Sequence, residues 1–146
     1  GDIYIDLTVL NVNDPEMHQE DALLVDTGAS RAWLPEDIVH RLGILREGTI
    51  SVERADSCPC ELAYGFCLFD FGGERVAGNI IFGPAGSEPI VGTHVLQDFR
   101  LSMDQEHHRI IRSRALRAKI VQLQFRLFFI TAHSFDFGLA AATRAS

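Results

Sequence analysis

The chain has 146 residues, 47% of them hydrophobic, and a formal net charge of −7. That length suits one domain with at most an appendage, the apolar share supplies a sizeable core and argues against disorder, and the acidity argues against nucleic acid as a general partner. The charge is uneven: residues 1–108 carry 19 of the 20 acids and 6 of the 13 bases, whereas residues 109–146 carry one acid, Asp136, and 7 bases.

No apolar run is long enough to span a bilayer. Gly1-Asp2-Ile3-Tyr4 lacks the basic-then-apolar pattern of a secretory leader. Three cysteines, Cys58, Cys60 and Cys67, are an odd number. They are expected as free thiols, which fits a reducing cytoplasm.

In chain order, Ile3 to Leu10 reads as a strand with Ile3, Ile5, Leu7 and Val9 on one face. Asn11 to Asp21 is polar and reads as a loop. Leu23-Leu24-Val25 then suits a buried strand, and Asp26-Thr27-Gly28-Ala29 follows at once. A carboxylate at the end of an apolar run is costly unless it is paired or used. Gly28 permits a sharp turn, and Thr27 brings a hydroxyl that can bond within the turn or across to a partner. The plain alternative is an ordinary Asp-Thr-Gly turn.

Arg31 to Leu34 is expected as a short strand. Pro35 to Gly43 has a helical layout: Pro at the start, Glu36 and Asp37 in the first turn, His40 and Arg41 before the closing Gly. Ile38, Val39 and Leu42 supply its buried side. Thr49 to Ala55 alternates as a strand, Asp56 to Cys60 reads as a turn, and Tyr64 to Phe71 returns as a strand. Gly72-Gly73 signals a hairpin into Val76 to Phe82. Glu88 to Gln97 contains Ile90-Val91-Gly92, a strand ending in glycine, with His94 to Asp98 as a short helix. Phe99 to Asp104 and Arg109 to Ile111 read as two strands about a turn. Many short strands with regular turns indicate an all-β sandwich or barrel.

These motifs carry a resemblance. Apolar-apolar-Asp-Thr-Gly-Ala at 24–29, Leu34-Pro35, Leu42-Gly43-Ile44, and the later apolar-apolar-Gly at 90–92 resemble the retropepsin-like aspartic proteases (clan AA), specifically the single-domain bacterial kind. The resemblance covers about residues 1–115. It implies an all-β, closed retropepsin-like barrel with one or two short helices, and leaves 116–146 as a basic, apolar extension. It also implies Asp26 as the catalytic carboxylate, Thr27 and Gly28 as its supporting loop, and Ala29 and Ser30 against the substrate. Ile90, Val91 and Gly92 would pack beside the site. A flap is implied within Arg54 to Phe66, with Tyr64 either reaching substrate or lying as a half-buried strand residue.

Peptide hydrolysis of this class needs two carboxylates, and the chain has one Asp-Thr-Gly. The expected function is therefore an aspartic endopeptidase acting on peptide or protein substrates as a homodimer, with no cofactor. The other expectation is a non-catalytic dimerisation or peptide-binding module of the same fold. Viral members pair an acid two residues after the glycine with an arginine after the later apolar-apolar-Gly. Here those positions are Ser30 and Thr93, so both partners are absent together and no unpaired charge is left.

Cys58 and Cys60 raise a zinc reading, but Cys-x-Cys has no matching second pair, and no metal is expected. In the C-terminal segment, 121–127 alternates as a strand while Leu116, Ile120, Leu123, Leu127 and Ile130 form a helical stripe. Periodicity leaves both open over 120–130; Arg112 to Lys119 leans to helix. A basic amphipathic face here could touch an anionic membrane, and packing against the acidic body is the simpler reading.

Overall fold

The computed structural model describes residues 1–54 and 57–113. The readings made for 114–146, the extension and its membrane contact among them, lie outside the described residues. Gly1–Arg112 forms one compact unit.

The unit is mostly β. Strand β1 (Tyr4–Leu10) pairs antiparallel with β2 (His18–Val25), from Tyr4↔Leu24 to Leu10↔His18. The strand begins at His18, inside the stretch read as loop. Its polar half is held by this backbone register, with His18, Glu20 and Ala22 turned outward, so pairing overrides composition. The connecting loop is locked by buried Asn11, whose side-chain N–H groups donate to the carbonyls of Leu42 (2.8 Å) and Gly43 (3.0 Å).

Next come β3 (Ala32–Pro35) and α1 (Glu36–Arg41). Pro35 stands at the helix N-cap, acids fill the first turn and His40 and Arg41 the last, as the macrodipole favours. Two long hairpins follow: β4 (Gly48–Arg54) with β5 (Ser57–Phe71), and β5 with β6 (Glu74–Gly83). Gly72 and Gly73 have φ of 60° and 87°, the two left-handed positions that a two-residue hairpin turn requires.

The turn read at Asp56 to Cys60 is instead largely strand: β5 starts at Ser57, and Arg54 pairs with Ser57. The register shifts between Val52 and Arg54, so β5 carries one residue more than β4 across that interval. Such a bulge takes up Pro59, which cannot donate to a ladder.

After β6 come β7 (Ile90–Val91), α2 (Thr93–Asp98) and a separate two-stranded sheet, β8 (Leu101–Asp104) with β9 (Arg109–Arg112). Phe99, read as the first residue of the strand ending at Asp104, instead caps α2 and is fully buried; Arg100 turns the chain at φ 60°. Among the described residues no helix is long and apolar enough to cross a membrane.

The main sheet runs β1-β2-β7-β3-β6-β5, and β5 pairs back onto β1 through Thr8↔Asp70 to Leu10↔Leu68. Six strands thus form a ring, with β4 attached outside on β5. The 15-residue length of β5 makes this possible: its first half pairs with β4, its end with β1, and its opposite edge with β6. Leu7, Val9, Leu23, Leu34, Phe69, Ile80 and Val91 fill the centre, each worth about 1.5–3 kcal/mol of burial. The helices cover the outside through Ile38, Val39, Val95 and Leu96.

Candidate active site

The site grows from the junction of β2 and β7. These strands run parallel, with Leu24↔Ile90 and Val25↔Val91 in register. The Leu24 N–H donates to the Pro89 carbonyl (2.9 Å) and the Asp26 N–H to the Val91 carbonyl (3.1 Å), carrying the ladder one residue past the strand. Asp26 therefore leaves the sheet with its backbone already fixed. The chain then turns: the Ala29 N–H donates to the Asp26 carbonyl (3.2 Å), and the Gly28 N–H donates to Asp26 Oδ1 (2.9 Å). One carboxylate oxygen is thereby oriented, while the half-buried side chain stays open to solvent. Thr27, Gly28 and Ser30 are exposed, and Ala29 is half-buried.

Gly92 holds the far side of this turn. A Cβ there would stand 2.6 Å from the carbonyl oxygens of both Ala29 and Arg31, closer than a side chain can approach. The Thr93 N–H donates to the Ala29 carbonyl (2.9 Å) and the His94 N–H to the Ser30 carbonyl (3.1 Å). Ile90, Val91 and Gly92 thus lie beside Asp26, and backbone bonds join the segment 29–30 to the start of α2.

Asp26 lines two depressions. One, of about 240 Å³, is shared with Thr27, Ile3, Met103, Gln105 and His108. The other, of about 320 Å³, is shared with Ala29, Trp33, Pro84, Glu88 and Ile90. The wall formed by 84–88 is braced by the Gly86 N–H, which donates to Asp37 Oδ1 on α1 (3.0 Å) and holds that carboxyl below its ordinary range. The Tyr4 hydroxyl donates to Glu88 Oε1 (2.6 Å), and this bond raises the phenol above its usual range. Tyr4, Trp33 and Glu88 were not legible as site residues: Tyr4 and Glu88 lie 84 positions apart and share no local spacing.

Tyr64 lines neither depression. It pairs with Gly48 on one side and Ile81 on the other, its ring lies over Gly48, and it meets Phe66 edge-on at 6.1 Å. The range Arg54 to Phe66, read as the flap, falls on the end of β4 and the first part of β5, which pair as a hairpin. The hairpin also includes the rest of β4, which that range left out, and its tip, 55–56, lies outside the described residues. Among the described residues no three His, Cys, Asp or Glu side chains converge as a metal site. Cys67 is buried, and desolvation pushes its thiol far up, which makes it a core residue and not a nucleophile.

No family model matches the sequence, and no curated protein matches it. Solved structures do match the fold. A retropepsin-like aspartic protease from Rickettsia conorii superposes with a TM-score of 0.51 at 19% identity, over 72% of this chain and 78% of that one. The retroviral protease-like domain of Ddi1 from Leishmania major superposes with a TM-score of 0.50 at 15% identity, over 78% of this chain and 90% of that one. The fold is thus retropepsin-like, the fold of aspartic proteases. At these identities the likeness concerns the fold, and function rests on the site itself.

Proposed function

We propose that the chain is an aspartic endopeptidase whose active site forms when two copies bring their Asp26 carboxylates together. The observation that carries this reading is the presentation of Asp26: a carboxylate at the end of a core strand, its backbone bonded to β7, one oxygen oriented by the Gly28 N–H, and its side chain open to two depressions. Burying part of a carboxylate in so rigid a turn is a cost that a reaction explains.

Two carboxylates within hydrogen-bonding reach share one proton, because both cannot ionise easily side by side. The ionised one takes a proton from water, whose oxygen attacks the scissile carbonyl carbon. The protonated one donates to the carbonyl oxygen. In the tetrahedral intermediate that results, proton transfer to the amide nitrogen lets the C–N bond break. One chain supplies a single Asp-Thr-Gly, so a two-fold dimer supplies the pair.

The test is cleavage of an unstructured protein by purified wild type and Asp26→Asn. The amide still accepts from Gly28 but cannot share the acid's proton, so activity should fall by at least about 10³-fold with an unchanged circular dichroism spectrum. Cleavage that persists in Asp26→Asn contradicts the assignment. A wild type that binds peptides without cutting them is the non-catalytic module of the same fold.

A further inference from the structure

Between Asp26 and the 84–88 wall lies a depression whose lining is chemically one-sided. Its charged groups, among the described residues, are Asp26 and Glu88, both acids. The rest of its lining is Trp33, the apolar residues Ala29, Pro84 and Ile90, and Ser87, whose hydroxyl already donates to the Pro84 carbonyl (2.6 Å). Trp33 is half-buried and its backbone pairs with Ile90, which places both on the wall of the depression. Glu88 is exposed, yet its carboxylate is held by the Tyr4 hydroxyl at 2.6 Å. That bond uses one of about four lone-pair positions, leaving acceptors for a second donor.

We infer that this depression is a subsite for a cationic side chain, arginine or lysine, of a peptide bound beside Asp26, with Glu88 as its counter-charge and Trp33 as its wall. This deepens the peptidase reading and rests on it for the peptide. The chemistry of the lining selects the cation. A long methylene stem covers the apolar wall while its charged head reaches the carboxylate. An indole beside a cation adds to the attraction. A purely apolar side chain would approach Glu88 with no donor to offer, and an acidic one would meet two like charges. Tyr4 is a positioning residue: it touches no substrate and fixes the carboxylate that does.

The experiment uses the full chain and matched peptides that differ at one residue beside the scissile bond, Arg, Leu or Glu. Wild type should show a kcat/KM for Arg about five- to tenfold above Leu, the range of one partly exposed ion pair plus one cation–aromatic contact, with Glu lowest. Glu88→Gln should bring the Arg-to-Leu ratio near one, and Glu88→Lys should favour Glu. Tyr4→Phe should lower the Arg-to-Leu ratio, a selective change, since a general loss of structure would lower both rates alike and leave the ratio where it was. The chain has a single tryptophan, so Trp33 fluorescence reports binding separately with an N-acetylated, C-amidated arginine tripeptide. Cleavage without preference for Arg overturns the inference and leaves the peptidase reading standing. Glu88-dependent binding of the arginine tripeptide without cleavage supports the subsite and overturns the peptidase reading. Neither binding nor cleavage overturns both.

Discussion

The Asp26 turn and the β8–β9 hairpin flank the same depression, and they are held by different means. The turn is fixed through main chain: Val91 receives Asp26, Ala29 receives Thr93, Ser30 receives His94, and Gly92 lies against the backbone of 29–31. The hairpin, which reaches the core through Leu101, Met103 and Ile110, is tied down further by charged side chains. The Glu74 carboxylate accepts from Arg100 at 2.9 and 3.0 Å and also from Arg112, whose guanidinium lies 5.1 Å from the Phe71 ring centre. Asp104 accepts from His107 (2.8 Å) and Arg109 (3.1 Å). Backbone contacts hold geometry independently of pH and salt. Partly exposed ion pairs hold it only while both partners are charged and screening is low. The molecule thus places its strictest constraint where a carboxylate must be aimed, and its adjustable one on the neighbouring hairpin.

The sharpest way to break this contrast is Gly92→Ala. The new methyl would meet the carbonyl oxygens of Ala29 and Arg31 at 2.6 Å, and backbone cannot swing away as a side chain can. A loss of about 3 kcal/mol in stability is expected, read as a lower urea midpoint, and a wild-type midpoint would show that the approach is not tight.

Glu74→Gln probes the other side. The Arg100 hydrogen bond, then the charges of Arg100 and Arg112, hold the Glu74 carboxyl below its ordinary value of 4.5. A depressed folded pKa means that the unfolded chain binds the proton more readily. The stabilisation is therefore complete above about pH 4.5 and lost as pH falls through the lower folded value. Asp104, held low chiefly by its His107 hydrogen bond, acts with the same sign. Melting temperature measured from pH 6 to pH 3 should fall less steeply in Glu74→Gln than in wild type, and added salt should narrow the difference between them at pH 6. Parallel curves would mean that the pair contributes nothing to acid sensitivity.

Ser30→Ala should do least. The Ser30 side chain is exposed, and its link to α2 runs through its carbonyl, which alanine keeps. A stability change within about 0.5 kcal/mol is expected; a larger loss by urea titration would mean that the hydroxyl matters to the turn.

The same contrast explains what the sequence made legible. Asp26-Thr27-Gly28 and Ile90-Val91-Gly92 are contiguous, each with a residue type whose reason is local: an acid after an apolar run, and a glycine where backbones meet. Both segments stand where their patterns place them. The Cys58-Pro59-Cys60 stretch looked like a turn because proline and small residues dominate it, yet pairing with β4 and one bulge make it strand. His18 to Asp21 looked like loop for its polarity, yet β1 holds it in register. Glu88 and Tyr4 were out of reach because neither has meaning until the fold brings them to 2.6 Å. Local chemistry was readable, and cross-strand chemistry was not.

The central claim, one site built from two Asp26 carboxylates, is tested most directly by subunit mixing. Wild-type chain at fixed concentration is allowed to exchange with increasing amounts of Asp26→Asn, exchange is verified, and peptidase activity is followed. A mixed dimer would hold one carboxylate and one amide, with no shared proton to divide the roles of acid and base. At equal amounts about one quarter of the dimers are wild-type pairs, so activity should fall to about half that of wild type alone. Activity that stays flat as the mutant is added, with a monomer at the working concentration, would contradict the claim.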